Sequence, residues 1–415
     1  MSASAQIAAG APVEPTGAEF DFIVACCADA LDGGDRARTA ISSSLDWDRV
    51  LVLSERHRVT RQVDESAGCP ASRGIRDVGG NVEGEIRSRY RNNARKALWF
   101  AGELTRTVEH LDSRGVEALP YKGPVLAAQL YGAVTAREFC DLDILIRSGD
   151  LRRARAALAE LGYEVENPLT GRGEQAYIAS GYEQSFRHAH SRSLLELQWR
   201  ILPRFYAVDF DIDGFFRRAG TVNVCGRQVR TLCAQDLFLV LCVHAAKHAW
   251  SELSLLCDIA RLAKGAPPDW NAMQREARRL GLERILAINL LLIERWFGAA
   301  PPGTLTKDDQ ARRMLDAIDD TLRSSAPCDT ESLAYFRFAA KLRERWRDRA
   351  QFWFRLALTP GPGEWETVRL PRQLFPLYRG VRFLRLARRL TTYRQKCVSL
   401  ATIAGAKPAK TISIS

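Results

Sequence analysis

The stretch YKGPVLAAQLYGAVTAREFCDLDILI, residues 121–146, decides the fold. Lys122 and Gly123 form a turn, a proline follows as suits the first turn of a helix, and Gly132 closes that helix. The segment Asp141–Ile146 then has the short, apolar character of a buried strand. This succession of turn, helix and strand predicts a small α/β unit within a chain that is otherwise mostly helical.

The rest of the 415-residue chain falls into segments around this unit. Apolar spacing predicts a long helix over 85–114, an edge strand over 116–121, a helix over 150–163, two strands over 182–190 and 193–201, and helices from 234 to 358. The domain prediction is a lead with helices and a flexible loop (1–84, the loop at 63–84), an α/β core (85–232), a helical domain (233–358) and a basic tail (359–415).

Charge and targeting signals narrow the class of protein. Residues 331–415 contain 18 Lys and Arg and 5 Asp and Glu, which gives this segment a net charge of +13. The whole chain has a net charge of +11, so the other residues together carry about −2. A basic tail on a neutral body disfavours a general nucleic-acid binder. The N-terminus lacks the features of a signal peptide, and no apolar run could span a membrane. We therefore expect a cytoplasmic protein, with its scattered cysteines reduced and mostly in the core.

Two acids lie in the predicted strand that ends the opening stretch. Side chains alternate along a strand, so Asp141 and Asp143 share a face, with Cα atoms roughly 6.5–7 Å apart. Leu142 and Ile144 occupy the other face. Carboxylates at this spacing suit Mg²⁺ or Mn²⁺. The alternative is an ordinary strand edge with two solvated acids, which the motif alone favours.

The neighbouring turn and a later strand shift that balance towards a site. Gly123 permits close backbone approach, and the free N–H groups at the start of its helix can hold a phosphate. Glu196 lies between leucines on a predicted strand, where an acid is costly to bury without a partner such as a metal. Phosphate and metal sites together are what phosphoryl chemistry needs.

These residues resemble the nucleotidyltransferase superfamily, and in particular its branch of uncharacterised nucleotidyltransferases, over about residues 85–390. The shared features, in chain order, are the Lys-Gly turn at 121–124, Leu-Tyr-Gly at 130–132, Arg137 before Asp141 and Asp143, Leu-Gly-Tyr at 161–163, Glu196 in Glu-Leu-Gln-Trp-Arg, and His244, Lys247 and His248 before Asp258. Gln198 departs from the branch, which usually has histidine there, so its role is open.

The resemblance implies an α+β fold, with a small mixed-sheet nucleotidyltransferase core and a larger, mostly helical remainder. It also implies transfer of a nucleoside monophosphate from an NTP, with ATP the favoured donor, to a hydroxyl on a small molecule, peptide or protein. Mg²⁺ (or Mn²⁺) would be bound by the catalytic residues Asp141, Asp143 and Glu196, and Glu196 could instead act as the base. The nucleotide would be bound by Lys122, Gly123, Arg137 and Lys247.

Several alternatives stay open. The chain could be a nucleotide- or RNA-binding protein that keeps the fold without turnover, or an interaction protein that acts through its helical half. His244 and His248 favour a structural pair over a zinc site, and Cys140 favours a core thiol over a nucleophile. Asp258 could pair with Lys247 or His248. The segment 335–356, which alternates aromatic and basic residues, could bind nucleic acid, but an amphipathic helix is favoured.

Overall fold

A computed structural model describes residues 17–41, 45–67, 82–166, 168, 177–178, 180–299, 305–323, 332–358 and 380. Its helices are α1 (Ala18–Asp32), α2 (Arg36–Ala40), α3 (Trp47–Arg56), α4 (Thr60–Ala67), α5 (Val82–Ser113), α6 (Gly123–Tyr131), α7 (Leu151–Glu160), α8 (Ile212–Arg218), α9 (Ala234–Lys247), α10 (Leu253–Gly265), α11 (Trp270–Leu280), α12 (Glu283–Phe297), α13 (Asp309–Arg323), α14 (Leu333–Lys341) and α15 (Trp346–Leu358). Its strands are β1 (Ala118–Pro120), β2 (Asp141–Ile146), β3 (Tyr163–Val165), β4 (Glu183–His188), β5 (Leu194–Gln198), β6 (Gly220–Val224) and β7 (Arg227–Thr231).

The central element is a five-stranded mixed sheet in the order β1-β2-β5-β4-β3. Strands β2 and β5 are parallel, whereas the other neighbours pair antiparallel. Pro120 lies on β1 at the edge of the sheet, the position in which a residue without an N–H is tolerated. The mixed sheet within a mostly helical chain confirms the α+β prediction.

Three local predictions are wrong. The helix predicted over 150–163 ends at Glu160 because Gly162 takes a left-handed conformation (φ +85°) and turns the chain into β3. The loop predicted over 63–84 does not begin at residue 63, since α4 continues to Ala67. Cys140, predicted as a core thiol, is exposed just before β2. The hairpin of β6 and β7 was not predicted at all.

The two faces of the sheet pack into different cores. Leu142 and Ile144 join a cluster with residues of α5 and α7, such as Leu104 and Leu158. Leu145, on the opposite face, belongs to the larger core that the helical part of the chain forms. Asp141 and Asp143 share the face of Leu145, so the two acids point towards the helical part.

A buried ion pair joins the α/β core to this helical part. Arg137, just before β2, donates to both carboxylate oxygens of Asp258 on α10 at 2.8 to 3.0 Å. The hydroxyl of Tyr131 on α6 donates to the same carboxylate at 2.8 Å. The predicted pairing of Asp258 with Lys247 or His248 is therefore wrong, because Arg137 and Tyr131 take up both of its oxygens.

The domain boundaries stay a prediction. The described N-terminal helices pack within the larger core, where Phe20 of α1 contacts Trp296 of α12 edge to face. Residues 1–16 of the predicted N-terminal segment, most of the predicted loop (63–84) and most of the predicted basic tail (359–415) lie outside the described residues. Within the described part of the chain, no helix has the length and apolar character that crossing a membrane requires.

We expect Asp258→Asn to lower the free energy of unfolding by about 3 to 5 kcal/mol, because it leaves the guanidinium of Arg137 buried without a counter-charge. Urea denaturation measures the change. The matched control is Asp316→Asn, since Asp316 is 86 % exposed in its pair with Arg295 and its loss should cost at most about 1 kcal/mol. Equal, small effects of the two variants would contradict a structural role for the buried pair.

Candidate active site

The register of two parallel strands brings the predicted acids together. Asp143 of β2 is the direct partner of Glu196 of β5, so their side chains lie next to each other on one face of the sheet. Asp141 occupies the same face one step earlier on β2. Asp143 and Glu196 are both buried. Asp141 and Glu196 are 55 residues apart in the sequence. The structure thus brings them together with Asp143 in one cluster.

Lys122 is the internal counter-ion of this cluster. Its ammonium lies 2.8 Å from Oδ1 of Asp143, and both side chains are buried. Burial alone would lower the pKa of Lys122, but the carboxylates of Asp143 and Glu196 raise it above its usual value. The lysine is therefore charged, and it offsets part of the repulsion between the acids.

Gly123 holds the start of α6 against the acid strand. Its φ is +58°, and a Cβ at this position would lie 3.1 Å from the backbone carbonyl oxygen of Asp141. Both features require glycine. The first turn of α6 has no side-chain cap, so its N–H groups keep the capacity to bind an anion. The turn predicted to bind phosphate thus packs against the backbone of the strand that carries Asp141.

Gln198 connects the acids through its amide, a role that could not be read from its sequence pattern. Its Nε2 donates to Asp143 at 3.0 Å and to Glu196 at 3.3 Å. Its Oε1 accepts a hydrogen bond from the hydroxyl of Tyr121, which sets the orientation of the amide. A neutral donor at this position ties two carboxylates together without adding a charge.

Glu183 is a fourth acid at the site, and the sequence analysis missed it. It is buried on β4, opposite Gln198 in the ladder, and its Oε2 lies 3.4 Å from the amide nitrogen of Gln198. Its other oxygen accepts a hydrogen bond from the hydroxyl of Tyr182. The usable signal was an acid inside a predicted strand, the same signal that identified Glu196.

The remaining predicted nucleotide ligands are engaged outside the acid cluster. Lys247 of α9 donates to the hydroxyl of Tyr182 at 3.0 Å, so it reaches Glu183 through one intervening side chain. Arg137 is held by Asp258. The roles of Lys247 and Arg137 at a nucleotide stay predictions, and the structure gives each of them a protein partner.

The histidines of α9 form a pair beside the site. His244 and His248 pack edge to face with ring centroids 4.6 Å apart. Burial lowers the pKa of each ring well below its ordinary value, and the charge of Lys122 adds to this effect at His244. Neutral rings in mutual contact agree with the structural pair that the sequence favoured.

The cluster carries an excess of negative charge. Burial, and then repulsion by Asp143, raise the pKa of Asp141 to about 6. Burial, and then Glu183 and Asp143, raise the pKa of Glu196 to about 8. Both shifts report carboxylates that lack enough counter-charge, since Lys122 pairs with Asp143 and, among the described residues, neither Asp141 nor Glu196 has an ion-pair partner of its own. A bound cation would supply that charge.

The donor chemistry of the cluster fits a hard divalent cation. All four acids offer oxygen, the ligand that Mg²⁺ and Mn²⁺ prefer. In the described part of the chain, no three His, Cys, Asp or Glu side chains already converge as a metal site. Lys122 and Gln198 instead occupy the space next to Asp143, so metal binding would require these contacts to rearrange.

Comparison with known proteins adds one match. The family model described as "Uncharacterised nucleotidyltransferase" matches residues 43–298, which is more than half of the chain. No curated protein and no solved structure is significantly similar to the chain. The matched range contains the four acids, Lys122, Gly123 and Lys247.

We expect the stability of the metal-free protein to fall with rising pH because of Glu196. Its pKa is about 8 in the folded state and near 4.3 in an unfolded chain, so the folded protein holds the extra proton between these values. The free energy of unfolding should therefore decline from about pH 4.3 to pH 8, by at most about 1.4 kcal/mol per pH unit from this group.

Glu196→Gln should remove that part of the slope and should be the more stable protein at pH 8. Urea denaturation with a chelator at pH 5.5, 6.5, 7.5 and 8.5 measures the effect. Glu164→Gln on β3 is the control, because Glu164 is exposed on the same sheet. Parallel pH profiles for the wild type and Glu196→Gln would show that Glu196 does not retain a proton in the fold.

Proposed function

The chain belongs to the family of uncharacterised nucleotidyltransferases, and we propose that it moves a nucleoside monophosphate from an NTP to an acceptor hydroxyl and releases pyrophosphate. The observation that carries the proposal is the placement of Asp143 beside Glu196, with Asp141 on the same face and in contact with the Gly123 turn. Carboxylates for metal and a phosphate-competent helix start lie within one buried cluster.

Asp141, Asp143 and Glu196 would bind the divalent cation, Mg²⁺ or Mn²⁺. When bound, the ion supplies Lewis-acid polarisation of phosphate oxygens and offsets the charge that develops on them. The protein contributes two paired strands, whose register holds Asp143 and Glu196 side by side. The contacts of Lys122 and Gln198 with Asp143 would have to rearrange for the ion to bind.

The phosphates of the NTP would bind at the start of α6. The N–H groups of its first turn and the helix dipole favour an anion there. Lys122 is the nearest cation, and it can turn from Asp143 to a phosphate oxygen once another cation neutralises that carboxylate. ATP is the favoured donor, and Lys247 lies close enough to the cluster, through Tyr182 and Glu183, to contribute a second positive charge.

Glu196 could act as the base instead of binding the metal. In the metal-free cluster its pKa of about 8 keeps it protonated at neutral pH, so it would accept a proton only when ionised, above about pH 8 or next to a bound cation that lowers this pKa. In the proposed reaction the acceptor oxygen forms a bond to the α-phosphorus, the bond from that phosphorus to the pyrophosphate oxygen breaks, and the acceptor proton goes to Glu196. A hydroxyl on a small molecule, a peptide or a protein satisfies this chemistry.

One observation supports a second candidate, a nucleotide-binding protein without turnover. The ammonium of Lys122 already contacts Asp143, and an ion pair that persisted in the complex would keep a metal from that oxygen. Such a protein would bind an NTP but would not release pyrophosphate. Release of pyrophosphate from labelled NTP therefore separates the two functions.

We expect the double variant Asp141→Asn, Asp143→Asn to lose nucleotidyl transfer by roughly 10²-fold or more, because it removes two negative oxygens that stabilise the bound metal. The measurement is transfer of labelled NTP to acceptors in a cell extract, together with pyrophosphate release. Glu164→Gln is the control that should keep wild-type activity. Full activity in the folded double variant would sink the metal-dependent mechanism.

We expect Lys122→Met to weaken NTP binding in the presence of Mg²⁺ by about 10- to 100-fold, the effect of losing one or two charge-assisted hydrogen bonds. Isothermal titration calorimetry measures the affinity. Lys264→Met is the matched control, because the Lys264 ammonium is exposed and donates to the backbone carbonyl oxygen of Leu31, away from the acid cluster. Unchanged affinity in Lys122→Met would show that the phosphates lie elsewhere.

A further inference from the structure

The outer face of α15 displays aromatic side chains that are exposed among the described residues. Trp346 is 73 %, Phe354 is 66 % and Trp353 is 38 % exposed. Phe352 and Leu356 are buried and anchor the helix to the rest of the protein. An amphipathic helix would explain buried aromatic residues, but large exposed rings on one helix usually mark a binding surface.

The three exposed rings lie on one side of the helix. At about 100° and 1.5 Å per residue, Trp346 and Trp353 are two turns and about 10.5 Å apart along the axis, and Phe354 adjoins them. Ala350 lies between them in the same direction and leaves the rings accessible. The arrangement is a row of flat apolar surfaces rather than a single protruding residue.

Positive charge accompanies the rings. The guanidinium of Arg347 lies over the ring of Trp346, 5.6 Å from its centroid, and Arg345 and Arg349 are also exposed. The two acidic side chains of residues 344–349, Glu344 and Asp348, face the rest of the protein. Glu344 accepts hydrogen bonds from backbone N–H groups at the start of α12, and Asp348 pairs with the buried Arg343.

A band of arginines connects this face with the strand that carries Glu196. Arg355 of α15 donates to the backbone oxygen of Arg204 at 3.3 Å and pairs with the exposed Asp209 at 3.3 Å. Arg200 lies two residues beyond the end of β5. Burial and the charge of Arg204 lower the pKa of Arg200, whereas Asp209 acts in the opposite direction. Arginines therefore extend from α15 towards the end of β5, and Asp209 offsets part of their charge.

We propose that the outer face of α15 and this arginine band bind a single-stranded nucleic acid, which is the acceptor of the transfer. Bases stack on exposed aromatic rings without regard to sequence, and arginines neutralise the phosphates between them. An acidic peptide would pair with the arginines but would not stack on the exposed aromatic rings. The role of the nucleic acid as acceptor rests on the proposed function, whereas its binding to this surface does not.

Binding is tested without NTP and with a chelator, by fluorescence anisotropy of labelled 12-nucleotide single-stranded RNA and DNA between 50 and 300 mM salt. Trp346→Ala and Phe354→Ala should each weaken binding by about 5-fold or more, the effect of losing one stacked base. Arg347→Gln should reduce the slope of log affinity against log salt by about 0.7, the value for one phosphate contact on a single strand.

Trp99→Ala on α5 is the matched control, because Trp99 is also exposed (42 %) but lies outside the proposed surface. It should bind as the wild type does. The double variant Asp141→Asn, Asp143→Asn should also keep its affinity, which separates docking from catalysis. Urea midpoints confirm that the α15 variants fold, as expected for exposed positions.

Absence of binding at 50 mM salt, or equal affinity of the Trp346→Ala, Phe354→Ala and control proteins, would overturn the surface. The proposal would also be wrong if the α15 variants lost binding to a glutamate-rich peptide but bound RNA and DNA as the wild type does. A final arm adds labelled NTP and Mg²⁺ to the bound strand. Labelling of the strand supports its role as the acceptor. Labelling of proteins alone shows that the strand is not the acceptor, but it does not contradict the binding surface or the transfer activity.

Discussion

The pairing of β2 with β5 is the constraint on which the rest of the site depends. It places the carboxylates of Asp143 and Glu196 side by side in a buried position, where their repulsion is poorly screened. The surrounding side chains are arranged to offset that repulsion. Lys122 contributes a full positive charge, and the amide of Gln198 donates to both acids. Burial and the remaining repulsion between the acids raise the pKa values of Asp141 and Glu196, so this compensation is incomplete.

The same constraint explains why the chain needs its helical part. The face of the sheet that carries the acids also carries Leu145, which packs into the helical core. The acids are therefore sheltered by that part of the chain rather than by the α/β core alone. Arg137 and Asp258 hold the two parts together through a buried ion pair. Arg137, which the sequence motif associates with nucleotide binding, thus has a structural contact with the helical part, and its role at a nucleotide stays a prediction.

Much of this organisation could be predicted, because it rests on local physical rules. The bounds of β2 match the predicted strand, since the apolar run of six residues is short and buried. Helix α6 begins and ends at the predicted glycines, because both positions have positive φ. The helix before β3 was extended too far, since one glycine in a helical pattern does not reveal its conformation. The hairpin of β6 and β7 was missed, because its polar residues alternate too weakly to mark a strand.

The sequence by itself determined which residues could form a site. The strand period put Asp141 and Asp143 on one face, the cost of a buried acid singled out Glu196, and the steric freedom of glycine marked the turn at Gly123. Only the tertiary structure decided which residues meet there. Glu183 and Gln198 join the site through strand pairing across the sheet, Arg137 pairs with Asp258, and Trp346 lies on the surface. Such outcomes depend on contacts between residues far apart in the chain, and local pattern carries no information about those contacts.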